Sequence, residues 1–193
     1  MSDISKRLNQ IRNWMGENNY DAFIVPHDDE YMSEYLPPQN ERLEWITGFN
    51  GSAGIAVITG NSAAIFVDGR YTVQVQNQVS KDYFEIKHLV ENPYLKWIEK
   101  NTKENSKIGY DAKLHTRNWL KNAKKSLTNG QILLLIEDNP IDINWINRPK
   151  VKNEKAILLN EEFTGKSSKE KRLSIGKSLV KNNLDAAFIT ALD

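Results

Sequence analysis

Apolar residues recur at two different spacings along the chain, and each spacing predicts a type of secondary structure. Ile4, Leu8, Ile11 and Met15 lie three or four residues apart, which predicts an amphipathic helix ending near Gly16. Short, nearly unbroken apolar runs follow at residues 22–25, 53–59 and 63–67. Runs of this length without polar alternation are typical of strands that are buried on both faces.

The remaining pattern up to residue 150 alternates between the same two types. Helices are predicted at residues 41–47, 71–79, 93–100 and 116–127, and strands at residues 83–89, 107–110 and 132–136. Gly60-Asn61-Ser62 is a tight-turn sequence, so residues 53–67 are predicted to form a β-hairpin. Strands interleaved with a similar number of helices predict a layered α/β domain.

An internal repeat indicates how the chain is divided. The segment KRLNQIRNWMGENNYDAFIV, from Lys6, returns as KRLSIGKSLVKNNLDAAFIT, from Lys171. Before the second copy, the segment 140–150 is expected to pack back onto the first domain, and a polar, lysine-rich connection contains one predicted strand at residues 156–159. We therefore expect a first domain at residues 1–150. Residues 151–193 are expected to hold a linker and the opening helix and strand of a second, incomplete domain of a longer protein.

Composition and charge narrow the classes of function. The 193 residues carry a net charge of +1, which gives no general attraction to nucleic acid or to an acidic membrane. The absence of cysteine excludes a thiolate nucleophile and a zinc-thiolate site. The chain has neither an apolar run long enough to span a membrane nor an amino-terminal signal sequence. These features predict a soluble, cytoplasmic protein.

Three glycines precede the hairpin at every third position, namely Gly48, Gly51 and Gly54. A phosphate-binding loop needs a strand before its glycines and a helix after them, because amide groups at the helix end hold the anion. Here a predicted strand follows, so nucleotide binding is rejected. The glycines are expected instead to let the backbone pack closely beneath the hairpin.

The sequence Asp68-Gly69-Arg70-Tyr71 forms a predicted corner between a strand and a helix. Asp68 is expected to cap the helix by accepting backbone N–H groups. Open α/β sheets place their ligand crevice at corners of this kind. Because the turn does not need the charge of Arg70, a functional and a structural role both remain open for that residue.

Evidence for a metal site is weak. Asp28, Asp29 and Glu30 beside His27 form an acidic loop that suits a hard cation, but a solvated loop is the favoured interpretation. His88 and His115 stand alone and are interpreted as structural or surface histidines. No metal site is expected in these residues.

At this point the motifs resemble a known family. The run DAFIVPHDDEYMSEYLPPQNERLEWITGFNGSAGIAVITGNSAAIFVDGRYTVQVQNQV resembles the amino-terminal domain of three-domain Xaa-Pro aminopeptidases of the cytosolic aminopeptidase P type. The pairing of GF-x-GSAG with DGRY is its most specific part. One departure is Tyr31, where the family commonly has a histidine, so no role of that histidine is carried over.

The resemblance implies a creatinase/prolidase-type domain with a three-layer, mixed, ribonuclease-H-like sheet, followed by a second similar domain and a metallopeptidase domain. It implies two divalent metals, usually manganese, bound only in the last domain, together with a peptide substrate and a homodimer. The present chain is then a non-catalytic domain that shapes substrate access and contributes to dimer contacts. By itself it is expected to be inactive.

Several residues are candidates for the substrate cleft. Arg70 is the first, and His27, Glu34, Tyr35 and Arg42 are weaker ones, because Glu34 and Arg42 alternatively hold the loop together as a pair. Asp68, Gly69 and Tyr71 are assigned to the structural corner.

Two other classes of function are alternatives to the enzyme. One is a peptide- or protein-binding module that kept this fold without catalysis. The other is a ribonuclease-H-like nuclease, which needs several converging acids. The single strand-end acid Asp68 and the near-neutral charge argue against the nuclease.

Overall fold

A six-stranded mixed sheet lies at the centre of the first of two units in the computed structural model, which describes residues 3–152 and 154–189. The units are Met1–Val151 and Lys152–Asp193. The elements are α1 (Asp3–Glu17), β1 (Ala22–Pro26), α2 (Arg42–Thr47), β2 (Ile55–Thr59), β3 (Ala63–Val67), α3 (Thr72–Gln78), β4 (Glu85–His88), α4 (Tyr94–Asn101), β5 (Lys107–Tyr110), α5 (Arg117–Ser126), β6 (Ile132–Leu135), α6 (Pro140–Asn144), α7 (Glu161–Thr164) and α8 (Ser168–Lys181). None of the described helices is long and apolar enough to cross a membrane.

The sheet has the order β4-β3-β2-β1-β5-β6. β2 pairs antiparallel with both β1 and β3, and the other neighbouring strands pair in parallel. The hairpin predicted at residues 53–67 is therefore the antiparallel part of an otherwise parallel sheet. The α/β class with a mixed sheet is confirmed.

Helices cover both faces of the sheet, which makes three layers. Phe23 and Val25 of β1 pack in a core with α1, α2, α3 and α6, whereas Ala22 and Ile24 face a second core with α4 and α5. All five residues of β1 and of β3 are buried. Burial on both faces explains why these strands are continuous apolar runs in the sequence.

The glycine loop before β2 packs more tightly than a side chain would allow. A Cβ atom on Gly51 would lie 2.8 Å from Cδ1 of Tyr71 and would also overlap the ring of Phe49. A Cβ atom on Gly54 would lie 3.1 Å from Leu43. The expectation of close packing is confirmed for Gly51 and Gly54, and Gly51 requires it most. Gly48 instead ends α2 with a φ of 81°, and a Cβ atom there would make only an ordinary contact.

The segment after β6 packs back onto the first unit. Asp142 of α6 accepts bonds from Nε and Nη2 of Arg42 at 2.7 and 2.9 Å and lies 2.9 Å from Nη1 of Arg148. Arg148 also donates to the carbonyl of Gln39 at 2.7 Å, and the ring of Trp145 lies 6.0 Å from that of Trp45. This three-residue ion cluster ties the end of the unit to α2, as expected for residues 140–150.

A buried histidine and a half-buried glutamate lie near each other where β1 ends and α2 begins. Nδ1 of His27 is 3.8 Å from Oε2 of Glu41, which is too long for a hydrogen bond. Within the described part of the chain, Nε2 of His27 and Oε2 of Glu41 have no hydrogen-bond partner. Burial, together with Glu44, raises the pKa of Glu41 to about 7, and burial lowers the pKa of His27. Burial therefore disfavours the charged form of both side chains.

The two copies of the repeat end their helices in the same way. Asn19 and Asn183 have positive φ angles of 57° and 53°. The next amide then bonds back five residues, from Tyr20 to Met15 at 2.8 Å and from Leu184 to Leu179 at 3.0 Å. Such a left-handed cap is a local motif set by the sequence. The likeness of the copies thus extends to individual hydrogen bonds, while a second complete domain remains a prediction.

Two predicted features of the second unit differ in the structure. The strand predicted at residues 156–159 is wrong, because this segment is exposed and pairs with no described strand. Residues 186–189 of the second copy also form no strand, and Thr190 lies outside the described residues. A strand requires a neighbour to satisfy its backbone groups, and the described part of this unit supplies none.

We predict that Gly51→Ala destabilises the first unit by about 2 kcal/mol, because the added methyl group overpacks the site between Phe49 and Tyr71. Urea unfolding followed by circular dichroism measures the change. Gly60→Ala is the matched control, since a Cβ atom there meets nothing within 4 Å. Equal stability of the two variants would contradict the packing argument.

We predict that Glu41→Gln becomes more stable relative to the wild type as the pH rises from 5 to 8. The folded pKa of Glu41, about 7, exceeds its ordinary value of 4.5, so ionisation favours the unfolded chain across that interval. The relative gain is about 2 kcal/mol after allowance for partial exposure. Urea unfolding at several pH values tests this, with the exposed Glu104→Gln as control. A pH-independent difference between Glu41→Gln and the wild type would refute it.

Candidate functional site

The carboxyl ends of five strands lie at one edge of the sheet. β1 and β3 run in the same direction because both are antiparallel to β2, and β4, β5 and β6 are parallel to their neighbours in turn. The connection after β1 leads to β2 on one side, whereas the connection after β5 leads to β6 on the other side. Open α/β sheets bind ligands at such an edge. We call it the carboxyl edge, and it carries the corner that contains Arg70.

Arg70 lies directly after β3, where Asp68 holds its guanidinium group. Nε of Arg70 is 3.2 Å from each carboxylate oxygen of Asp68, and Nη2 is 2.8 Å from Oδ2. Hydrogen bonding by Arg70 lowers the pKa of Asp68, and the same bonds raise the pKa of Arg70. The arginine side chain nevertheless remains 63% exposed. A fixed and accessible cation therefore stands at the carboxyl edge.

Asp68 caps a shorter element than the sequence predicted. Its Oδ1 accepts the backbone N–H of Arg70 at 2.9 Å, which caps the single 3-10 turn Gly69–Tyr71. The α-helix begins only at Thr72, and its own cap position, Tyr71, has no side-chain bond. The expectation that Asp68 caps the α-helix is corrected accordingly, since the tight turn places Arg70 before the helix starts.

Tyr71 connects Arg70 to the glycine loop. The guanidinium carbon of Arg70 lies 5.3 Å from the centroid of the Tyr71 ring, a cation–π contact. The ring of Tyr71 meets Phe49 edge to face at 5.5 Å, and its hydroxyl is 2.7 Å from Oγ of Ser52. Sequence reasoning did not assign a role to Ser52. The GSAG motif, which contains Ser52, is the sequence feature that could have indicated its role.

Glu34 and Tyr35 lie on the exposed part of the loop after β1. The negative charge of Glu34 helps to raise the pKa of Arg70. Tyr35 is 80% exposed. Asp29 anchors this loop from inside by accepting the N–H groups of Tyr31 and Ser33, each at 3.0 Å. Glu34 and Tyr35 are thus both accessible, and the charge of Glu34 lies close enough to Arg70 to interact with it.

His27 and Arg42, the other two candidates, are buried. Both side chains are less than one-tenth exposed. The carboxylate that binds Arg42 is Asp142 and not Glu34, so the suggested pair of Glu34 with Arg42 is wrong. Asp142 follows in sequence a hundred residues later, and no local pattern joins it to Arg42. Arg42 nevertheless lines a cavity of about 410 Å³ together with Glu30 and Asp142. A substrate contact of His27 or Arg42 therefore stays a prediction.

The acidic loop beside His27 is partly buried and not wholly solvated. Asp29 is 1% exposed, and although burial would raise its pKa, hydrogen bonds from Ser33, Tyr31 and Asn40 hold the pKa below its ordinary value. Burial and the nearby Asp29 raise the pKa of Asp28 to about 6. The described residues contain no group of three or more His, Asp or Glu side chains that fits a metal ion. These residues therefore do not fit a dinuclear centre.

The chain is similar in sequence to named peptidases. It is 34% identical to the probable Xaa-Pro aminopeptidase P of Aspergillus fumigatus, over 98% of this chain and 30% of that protein. It is 32% identical to the protein of the same name from Paracoccidioides brasiliensis, over 99% of this chain and 32% of the relative. The chain thus spans about a third of the length of these relatives.

Solved structures show the same fold. The X-prolyl aminopeptidase of Caenorhabditis elegans, described as a cytosolic enzyme with a di-nuclear active site, matches with a TM-score of 0.83 and 26% identity. That match covers 100% of this chain and 34% of the other. The N-terminal domain of the peptidase PepQ from Mycobacterium tuberculosis matches 72% of this chain and 97% of its own, with a TM-score of 0.57 and 16% identity.

The family itself follows from a match over most of the first unit. The model of the creatinase/prolidase N-terminal domain covers residues 7–137, from α1 through the end of β6. That range includes the glycine loop and the Arg70 corner, and it agrees with the resemblance seen in the motifs. The chain belongs to the creatinase/prolidase N-terminal domain family.

Proposed function

We propose that this chain is the non-catalytic amino-terminal domain of a metal-dependent Xaa-Pro aminopeptidase, which removes an N-terminal residue that precedes proline. The observation that carries the proposal is the 34% identity to a probable Xaa-Pro aminopeptidase P along 98% of the chain. Because the chain spans only 30% of that relative, the catalytic residues are assigned to the remainder of the polypeptide.

The role proposed for this domain is to shape substrate access at the carboxyl edge. Arg70 supports this role because it is fixed by Asp68 and still 63% exposed. A guanidinium group suits a peptide carbonyl or carboxylate oxygen, to which it donates one or two hydrogen bonds. Glu34 and Tyr35, on the exposed loop after β1, are proposed as secondary contacts, and the buried His27 and Arg42 remain weaker candidates.

The metals, the compartment and the assembly are proposed for the full-length protein. Two divalent metals, with manganese as the first choice, are assigned to the catalytic part, in keeping with the di-nuclear site described for the Caenorhabditis elegans enzyme. A cytoplasmic location has the same support, since that enzyme is described as cytosolic. A homodimer is proposed from the family resemblance, and light scattering on the full-length protein tests it.

We predict that Arg70→Ala in the full-length enzyme lowers kcat/KM for an Xaa-Pro peptide at least about tenfold, because a charge-assisted hydrogen bond to the substrate is lost. Steady-state kinetics with manganese measures the effect. Lys124→Ala is the control, because Lys124 is exposed in the last turn of α5, at the opposite edge of the sheet. If both kcat and KM of Arg70→Ala stay at the wild-type values, Arg70 does not face the substrate.

We predict that residues 1–193 alone do not hydrolyse Xaa-Pro peptides in the presence of manganese, because two-metal hydrolysis needs several converging carboxylates. The full-length polypeptide is expected to be active under the same conditions. An inactive full-length protein would favour the alternative, a peptide- or protein-binding module of the same fold. Hydrolysis by the 193-residue chain would contradict the assignment of catalysis to the remainder.

A further inference from the structure

Asp68 makes more contacts than a capping residue needs. Oδ1 caps the 3-10 turn through the N–H of Arg70 at 2.9 Å, and both oxygens also accept bonds from the guanidinium group. Nε and Nη2 are the two donors that face Asp68. The carboxylate therefore binds one complete side of the planar guanidinium, which restricts rotation of the group about the end of the side chain.

A second cap in the same domain shows what the turn alone requires. Asp111 follows β5 and caps the 3-10 turn Ala112–Leu114, with Oδ1 accepting the N–H of Lys113 at 2.9 Å. This distance and the two-residue spacing are the same as at Asp68 and Arg70. The remaining oxygen of Asp111 accepts a bond from Asn139 and forms no ion pair with a described residue. The bonds to the guanidinium are thus additional to the cap.

Tyr71 fixes Arg70 from another direction. The centroid of its ring lies 5.3 Å from the guanidinium carbon. The ring in turn packs edge to face on Phe49, and its hydroxyl is hydrogen-bonded to that of Ser52. One side of the guanidinium group is bound to Asp68 and one face contacts Tyr71. Its Nη1 and the second N–H of Nη2 therefore remain for a ligand. Those two donors form one edge of the group, which matches a carbonyl or carboxylate oxygen.

We propose that Asp68 is a positioning residue that orients Arg70, so that its Nη1–Nη2 edge points towards the peptide substrate. This inference rests on the proposed function of Arg70 in substrate binding. Asp68 does not touch the substrate and acts only through the guanidinium group. Lysine cannot replace Arg70 in this arrangement, because one ammonium group cannot hold both Asp68 and the substrate in the same planar geometry.

A double-mutant cycle in the full-length enzyme tests the proposal. Asp68→Asn keeps an oxygen for the cap but removes the charge that holds the guanidinium. We expect it to lower kcat/KM about threefold to tenfold when Arg70 is present and less than about 1.5-fold in the Arg70→Ala background. In the Arg70→Lys background, Asp68→Asn is expected to change kcat/KM as little as it does in the Arg70→Ala background. The thermal midpoint of each variant is measured in parallel.

Asp111→Asn is the matched control, because it alters the equivalent cap after β5. Its effect is expected to be the same in both Arg70 backgrounds. A loss caused by Asp68→Asn that is equal with and without Arg70 would show a structural cap only and overturn the proposal. An Arg70→Ala variant with unchanged kinetics would instead overturn the proposed function itself, so the two failures are distinguishable.

Discussion

The contact between the backbone at Gly51 and the rings of Phe49 and Tyr71 is the constraint on which the candidate site depends. Phe49 is 1% exposed and belongs to the core, so its ring is fixed by the packing of α1, α2 and α3 on the sheet. Gly51 lets the loop lie directly on that ring and on Tyr71. The ring of Tyr71 then makes a cation–π contact with the guanidinium group of Arg70. The position of an exposed cation is thus determined from the core outwards.

The sheet and the loops determine where that cation points. The antiparallel β2 lets β1 and β3 run in the same direction, so the loops that follow them leave at one edge. Asp29 holds the first loop from within, and Asp142 ties α6 to α2 through Arg42. Asp29 is buried and is satisfied by backbone amides and by Asn40, whereas the half-buried Asp142 is paired with Arg42 and Arg148. The carboxyl edge therefore has a rigid base beneath exposed residues.

Much of this fold was predictable from spacing alone, because buried strands and amphipathic helices have distinct local patterns. The runs at residues 22–25 and 63–67 were identified correctly for that reason, with bounds within one residue of β1 and β3. The strand predicted at residues 156–159 was wrong, because an apolar run becomes a strand only when another strand pairs with it. The pair of Arg42 with Asp142 was missed, since its members lie a hundred residues apart.

The candidate site was predictable only in outline. The corner after β3 was recognised from Asp68-Gly69-Arg70-Tyr71, yet the burial of His27 and Arg42 depends on how α2 and α6 pack, which local sequence does not encode. Gly51 and Gly54 were correctly interpreted as close-packing positions. Their connection to Arg70 through Tyr71 could not be predicted, because Ser52 and Tyr71 come into contact from the two ends of the hairpin.

The central claim is that the carboxyl edge of this domain presents Arg70 to the peptide substrate of an Xaa-Pro aminopeptidase. A crystal structure of the full-length protein with a bound Xaa-Pro peptide tests it most directly. The account predicts a peptide oxygen within hydrogen-bond distance of Nη1 or Nη2 of Arg70, with Asp68 still bound to the opposite side of the guanidinium. A peptide bound in the catalytic centre with Arg70 facing bulk solvent would contradict it.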